Sequence, residues 1–249
     1  METIVKQTRE VGTSAGVLLP RDWLNKKVAV TLFLPSIEDI IKDIMDILLK
    51  NNLNEEAKGI YLFGSYARGD YDSDSDIDVL VITQNISKLI KHNNYEIVLV
   101  SETSFSKNIS NSLMYASMLK EIKIILNRNL IEKYLSKKIK LNTREIFAEI
   151  KRMIRINRET AEILKENNEN IPDGIMYSLV LRLRELYMIK CLISNSKYDR
   201  RDFLEIVGEM AYSAYSRVKR DKRELENVSS DEAIKLLNLS EKWLKELKE

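Results

Sequence analysis

The side chains best suited to chemistry lie in two short runs near the middle of the chain. Gly64-Ser65 ends one apolar run, and Asp76-Ile77-Asp78 begins another. If the first run is a strand that turns into a helix, the turn leaves unpaired backbone N–H groups, and the glycine lets a phosphate approach them closely. Strand side chains alternate between faces, so the two aspartates share one face. This spacing predicts an anion-binding turn that faces two carboxylates.

The paired aspartates also predict a metal site. Two carboxylates this close repel each other, whereas a divalent cation between them favours both ionised forms. Mg²⁺ suits Asp76 and Asp78 because it prefers hard oxygen ligands, keeps several waters and is normally completed by substrate phosphates. Two such ions about 4 Å apart would activate an acceptor hydroxyl and stabilise a leaving pyrophosphate.

A third acid on a neighbouring strand would complete such a site, and Glu96 is the candidate. It lies in the run Tyr95–Val100, where an acid in an otherwise apolar strand has little structural reason to be present. Glu102 points to the same face by its spacing, but it follows Ser101 in a predicted loop beyond the strand. We therefore expect Asp76, Asp78 and Glu96 to be the catalytic and metal-binding acids.

Arg68 has two interpretations, which the sequence leaves open. Its guanidinium could contact a phosphate, or it could pair with a nearby aspartate such as Asp70 or Asp72. The acids that surround it also allow a simpler view, in which Gly64-Ser65 is only a strand-to-helix turn and Asp70, Asp72, Asp74 and Asp76 form a solvated acidic loop. The paired aspartates at this distance, followed by an apolar strand, favour the site over the loop.

These residues need a sheet and its helices to bring them together. Apolar residues recur at helical spacing from Ser36, which is a suitable N-cap, to Leu48. The runs Ile60–Phe63, Ile77–Ile82 and Tyr95–Val100 predict three strands, which form a sheet against which that helix packs.

The pattern becomes helical after Lys107. Apolar residues between Leu113 and Leu126 recur at helical spacing, and a further helix is predicted over Leu130–Leu135. Four helical stretches follow, at about residues 143 to 167, 173 to 194, 200 to 226 and 230 to 248. The fold class is therefore α+β, with a small β module in residues 1–35, a core of mixed sheet and helices in 36–140, and a helical bundle in 141–249.

The central motif resembles a known family. The segment Gly64–Gly69 followed by Ser75–Val81 is similar to the signature of minimal nucleotidyltransferases, relatives of kanamycin nucleotidyltransferase in the DNA polymerase beta superfamily. The resemblance covers residues 37 to about 135 and includes Leu119–Leu126. It implies that a nucleoside monophosphate is transferred from an NTP, with ATP expected, to a hydroxyl of a protein, an RNA or a small molecule. It also implies nucleotide contacts from Gly64, Ser65 and Arg68, metal binding by Asp76 and Asp78, and Glu96 as the third acid.

The amino-terminal segment resembles a different family. Val11–Leu24, followed by Lys26-Lys27-Val28, is similar to AbrB-type swapped-hairpin modules, which pair hairpins between two chains and bind DNA or cap a partner protein. Turn signals at Gly12–Gly16 between apolar runs, including Val17–Leu19 and Val28–Leu34, support a small β unit. We expect a homodimer. Five basic residues could contact DNA phosphates or be ordinary solvated positions: Lys6, Arg9, Arg21, Lys26 and Lys27.

The helical region offers few specific signals. Arg182, Arg184 and Lys190 could build a basic wall over an acceptor channel, although such residues are more often a solvated helix face. The basic run Arg217–Arg223 is a weaker candidate for the same role. The tyrosines of this region, Tyr187, Tyr212 and Tyr215, are expected to be packing residues.

Composition narrows the class of protein. Lys and Arg number 40 against 38 for Asp and Glu, so a net charge of +2 excludes a globally basic nucleic-acid coat. The single cysteine, Cys191, is expected to be a core thiol. The first residues lack a secretory signal and no apolar run approaches the roughly 20 residues that span a bilayer, so we expect a soluble, cytoplasmic protein.

A second hypothesis is a dimeric AbrB-like DNA-binding regulator whose central domain senses nucleotide or is inactive. The intact Asp76 and Asp78 count against it, because a regulatory domain has no need of clustered acids.

Overall fold

The computed structural model describes residues 3–6, 8–31, 34–72, 75–137 and 139–248. The chain divides into two compact units, Met1–Ser36 and Ile37–Glu249. In the first unit, Arg9–Val11 (β1) and Ser14–Gly16 (β2) form an antiparallel hairpin. Gly12, at the turn, has a φ of 60°, a conformation that glycine adopts without strain.

The predicted β unit is therefore present, but its strands lie elsewhere than expected. Val17–Leu19 and residues 28–31 are not strands, and Arg21–Trp23 forms one turn of 3₁₀ helix. Leu32 and Phe33, in the last predicted run, lie outside the described residues. We had assigned Gly12–Gly16 to a turn between strands, but only Gly12 lies at the turn, and Ser14–Gly16 forms the second strand of the hairpin.

The second unit begins with a helix and a sheet. Its elements in chain order are α1 (Ile37–Lys50), β3 (Ala57–Phe63), α2 (Gly64–Arg68), β4 (Ile77–Thr83), β5 (Lys88–His92), β6 (Tyr95–Ser101), α3 (Glu102–Asn108), α4 (Leu113–Glu121), β7 (Lys123–Leu126) and α5 (Arg128–Leu135). Helices then follow without further strands among the described residues: α6 (Arg144–Glu166), α7 (Asp173–Ile193), α8 (Arg200–Val207), α9 (Glu209–Lys219) and α10 (Ser230–Glu246). This confirms the α+β class.

The strands form one mixed sheet, in the order β5-β6-β4-β3-β7. β4 and β6 run parallel, and the other neighbours are antiparallel. The apolar stripe of α1 covers one face, where Ile40 and Ile44 are fully buried, and Phe105 of α3 and Ile131 of α5 are buried on the other face. Burying both faces of β4 requires an almost continuous apolar run, and Val79–Ile82 provides it. The sheet thus holds the carboxyl end of β3 and the start of β4 side by side.

Two predictions in this region were wrong. The helical spacing extended through Leu126, but the helix ends at Glu121 and Lys123–Leu126 pairs with β3 as an edge strand. Its short β-branched run suits a strand, and pairing satisfies backbone groups that the edge of β3 would otherwise leave open. No strand was predicted between Ile82 and Tyr95, yet Lys88–His92 pairs with β6, and His92 lies opposite Tyr95.

The helical bundle has its own core, which includes Phe147, Leu183, Phe203 and Trp243. The predicted helix over residues 200–226 was wrong in extent. It is interrupted at Gly208, where φ is 84°, and it ends at Lys219. Cys191 is buried, as expected of a core thiol. Along the described chain, no helix combines the length and apolar character needed to cross a bilayer.

Candidate active site

The turn between β3 and α2 brings a backbone loop against a carboxylate. Gly64 has a φ of 70°, and a Cβ built on it would lie 2.1 Å from Oδ2 of Asp78. Any larger residue would therefore clash and also adopt a strained backbone. The register of the sheet causes this contact, because Phe63 pairs with Asp78 across β3 and β4.

Asp78 is the most perturbed acid of this region. Burial raises the pKa of its carboxyl group from 3.8 to about 7. Burial is the largest cause of this net value, which also includes attraction from Lys219, lowering the pKa, and repulsion from Glu96, Asp76 and Glu121, raising it. A carboxyl group held in this way is destabilised when ionised, so a bound cation is favoured there.

Asp76 lies two residues earlier, at the entrance to β4. Its side chain is 48% exposed, and the Lys219 ammonium nitrogen lies 3.6 Å from its Oδ2. Lys219 ends α9, so the bundle supplies a positive charge directly to one of the paired aspartates. The basic run Arg217–Arg223, which was the weaker candidate for a basic wall in the sequence analysis, therefore contributes Lys219 to the site.

Glu96 is the register partner of Asp78 on the parallel strand β6. The two side chains share a face of the sheet, but Glu96 does not line the cleft described below and its Oε2 lies 3.4 Å from the Lys91 ammonium. Among the described residues, no three acidic, histidine or cysteine side chains are grouped closely enough to hold a metal ion.

A cleft of about 520 Å³ lies between the sheet and the bundle. It brings together five of the predicted residues: Gly64, Ser65, Arg68, Asp76 and Asp78. Residues of α4, α7, α8 and α9 and of the loops beside them form the remaining walls. The bundle wall carries Arg184, Tyr198, Arg200 and Tyr215.

Salt bridges tie the bundle to the loop that carries the aspartates. Arg200 donates to the backbone oxygen of Asp70 (2.9 Å) and to Oδ2 of Asp72 (3.0 Å), and Arg220 lies 3.6 Å from Oδ1 of Asp72. The acidic loop is thus a docking point for the bundle, and Asp74 lies outside the described residues.

Comparison with known proteins supplies the family. A model described as a nucleotidyltransferase domain matches residues 41–164. A protein of Methanocaldococcus jannaschii named as a protein adenylyltransferase is 38% identical over 88 residues, which are 31% of this chain and 84% of that protein. The chain belongs to the nucleotidyltransferase family. A second protein of the same organism, named in the same way, is 49% identical over 45 residues, 18% of this chain and 44% of that protein.

Two solved structures are similar to this nucleotidyltransferase at low sequence identity. One is spectinomycin adenyltransferase from Enterococcus faecialis with ATP and spectinomycin, with a TM-score of 0.44, 14% identity and coverage of 84% of this chain and 100% of that chain. The other is a nucleotidyltransferase-like protein from Exiguobacterium sibiricum, with a TM-score of 0.33, 16% identity and coverage of 83% and 75%. The family match begins at residue 41, so the AbrB-like resemblance of the first unit stays a prediction.

One acid of the nucleotidyltransferase site was missed by sequence reasoning. Glu121 ends α4, lines the cleft, and accepts the Gly64 N–H through Oε1 (3.1 Å). Its Oε2 accepts from Nη1 of Arg68 (2.5 Å), while Nε of Arg68 donates to Asp70 (3.1 Å). Glu121 stands within the segment quoted for the family resemblance, but nothing in its spacing indicated that it would reach a turn 57 residues earlier.

Proposed function

We propose that this enzyme transfers AMP from ATP to a hydroxyl group of a protein. The close approach of the Gly64 turn to the Asp78 carboxylate carries the proposal, because a turn suited to a phosphate would then lie beside an acid that favours a cation. The acceptor oxygen would form a bond to the α-phosphorus, the bond from that phosphorus to the bridging oxygen would break, and pyrophosphate would leave with the electron pair.

The residues of the turn are proposed to hold the triphosphate. Ser65 lines the cleft and offers both a hydroxyl and a backbone N–H. Because Glu121 accepts the Gly64 N–H, we assign the glycine mainly to close approach of the nucleotide and the direct contacts to Ser65. Arg68, bound to Glu121 and Asp70, would fix the turn and reach phosphate only by giving up one of these partners.

Asp76 and Asp78 are proposed to hold Mg²⁺. Their oxygens are the hard ligands that this ion prefers, and the raised pKa of Asp78 is the mark of a carboxylate that gains from a nearby cation. Bound Mg²⁺ would neutralise phosphate charge and favour ionisation of the acceptor hydroxyl. Glu96, in register with Asp78, is proposed as the third acid, which takes the proton of that hydroxyl.

The acceptor class rests on the relatives. The two proteins of Methanocaldococcus jannaschii are named as protein adenylyltransferases, and the first shares 38% identity across most of its length. This supports ATP as the nucleotide and a protein as the acceptor. RNA ends and small molecules are the alternatives that the experiment must separate.

Radiolabel transfer tests the proposal. The full chain is incubated with Mg²⁺ and α-labelled ATP, CTP, GTP or UTP, together with a cell extract, and labelled protein, RNA and small molecules are separated. We expect labelled protein with ATP, and no labelling with Asp76→Asn or Asp78→Asn. The matched control is Glu102→Gln, because Glu102 begins α3 and pairs with Lys58 and Lys133 outside the cleft. Equal transfer by Asp78→Asn and the parent would exclude the assignment.

The first unit is proposed to form a homodimer. None of its described side chains is buried, and Val5, Leu24 and Val30 are 74%, 72% and 82% exposed. A segment that buries no apolar side chain of its own gains stability when a partner covers it, and a second copy of the hairpin is a symmetric solution. Light scattering over a concentration series should give a dimer mass for the full chain and a monomer mass when residues 1–35 are deleted.

The regulator hypothesis keeps one observation in its favour. All five basic residues of the first unit that we named as DNA contacts are exposed. If they bind phosphates, duplex binding weakens steeply with salt and falls in Arg9→Ala and Arg21→Ala, whereas nucleotidyl transfer is unchanged. Salt-independent binding, or none, would leave dimerisation as the role of the unit.

A further inference from the structure

Arg184 is a cation of the cleft for which the described residues provide no acidic partner. It lies in the middle of α7 and lines the cleft on the side of the bundle. Its Nη1 donates to the Tyr215 hydroxyl at 3.4 Å, and its guanidinium carbon lies 5.4 Å from the centre of the Tyr198 ring. Its Nε is buried and has no hydrogen-bond partner. Within the part of the chain that the structure describes, no carboxylate lies within ion-pair distance of it.

The other cations of the cleft are neutralised by acids of the core. Arg68 binds Asp70 and Glu121, Arg200 and Arg220 bind Asp72, and Lys219 lies beside Asp76. The acid next to Arg184 in the chain, Glu185, accepts from Arg182 through both of its oxygens. Arg184 therefore differs from the other cations of the cleft in having no acidic partner among the described residues.

Such a group is suited to a ligand that carries an oxyanion. A guanidinium withdrawn from water without a counterion is unfavourable, and a bound anion removes much of that cost. Its planar fork matches a carboxylate or phosphate group through two parallel hydrogen bonds. Tyr198 and Tyr215 restrict the orientation of the fork.

We propose that Arg184 binds an anionic group of the acceptor, so that the acceptor is an acidic segment of a protein with its hydroxyl near a carboxylate or phosphate. This rests on the proposed function. The proposed partners of the triphosphate, the turn at Gly64-Ser65 and Asp76 and Asp78 with their metal, lie on the opposite wall, which the sheet forms. Arg184 stands on the wall formed by the bundle and is left for the second substrate.

Binding of inorganic phosphate tests the anion site without any need for transfer. Calorimetry is carried out on the full chain saturated with α,β-methylene-ATP, which cannot release pyrophosphate. We expect the parent to bind phosphate and Arg184→Met to bind it at least about tenfold more weakly, as the loss of charge-assisted hydrogen bonds implies. Lys190→Met is the matched control, because it removes a positive charge from the same helix outside the cleft.

Three results would overturn the site. These are no phosphate binding by the parent, equal phosphate binding by Arg184→Met and the parent, and phosphate binding by the parent only when the ATP analogue is left out, which would assign Arg184 to the nucleotide. Arg184→Lys, which keeps the charge, should recover part of the affinity. Thermal unfolding of each variant separates loss of binding from loss of folding.

Label transfer then tests the class of acceptor. Two peptides of equal length carry one tyrosine and one serine, flanked either by glutamates or by lysines. We expect the parent to label the acidic peptide at least about tenfold faster, and Arg184→Met to remove this preference. Labelling of an oligoribonucleotide but of neither peptide would overturn the protein acceptor. If nothing is labelled while phosphate still binds through Arg184, the proposed function fails and the anion site stands.

Discussion

Replacing Asp78 by asparagine should make the metal-free protein more stable while it removes activity. The Asp78 carboxyl group is buried among other acids, and its pKa is raised to about 7. Below pH 3.8 the carboxyl is protonated in both the folded and the unfolded chain and costs nothing. Between pH 3.8 and 7 the folded state holds a proton that the unfolded state has lost, so the contribution of Asp78 to stability falls as pH rises.

The size of the effect follows from the two pKa values. A rise from 3.8 to about 7 corresponds to about 4 kcal/mol above pH 7, at about 1.4 kcal/mol per pKa unit. Asp78 is partly accessible to solvent, so we expect roughly 2 to 4 kcal/mol. At pH 5 the difference should shrink to about 1 to 2 kcal/mol. In a protein of this size the unfolding midpoint at pH 8 should rise by roughly 5 to 15 °C.

Thermal unfolding in EDTA, at pH 5, 6, 7 and 8, measures this difference. The matched control is Asp76→Asn, because Asp76 is half exposed and its pairing with Lys219 should be worth less than about 1 kcal/mol. An Asp78→Asn protein no more stable than the parent at pH 8, or a gain that does not change with pH, would refute the reasoning. The same gain in Asp76→Asn would show a general effect of charge removal.

Further predictions concern the turn, the missed acid and the bundle. Gly64→Ala should abolish transfer and lower the unfolding midpoint, because its Cβ would collide with Asp78; wild-type kinetics would contradict the contact. Glu121→Ala should free the turn and raise KM for ATP about tenfold or more. Glu121→Gln can still accept the Gly64 N–H and should retain most of the ATP binding. Equal effects of the two variants on KM would exclude a positioning role for Glu121. Asp173→Ala should destabilise the bundle by about 3 to 5 kcal/mol in urea unfolding, because it leaves Arg217 without its buried partner, and a loss under about 1 kcal/mol would refute this.

Residue types and spacing within short segments were sufficient to predict the strands and the turn that carry the site residues. Gly64 before a helix, and Asp76 and Asp78 before an apolar strand, predicted a turn and paired acids that the structure does bring to one cleft. Strand alternation and helical spacing depend on nearby residues, so three strands and the first helix were found within a few positions of their bounds. The same rule was wrong for Lys123–Leu126, where pairing with β3 outweighed helical spacing.

Sequence alone determined which residues would form the turn and the pair of acids, because chain neighbours fix those features. Tertiary structure decided what surrounds them. Lys219 lies 143 positions from Asp76 in the chain, yet its ammonium nitrogen lies 3.6 Å from that carboxylate. Glu121 reaches Gly64 only because α4 packs on the sheet. The missing acidic partner of Arg184 is likewise a property of packing, since a charge is compensated by whatever the fold brings within a few ångströms. The spacing of residues along the chain does not predict those distances.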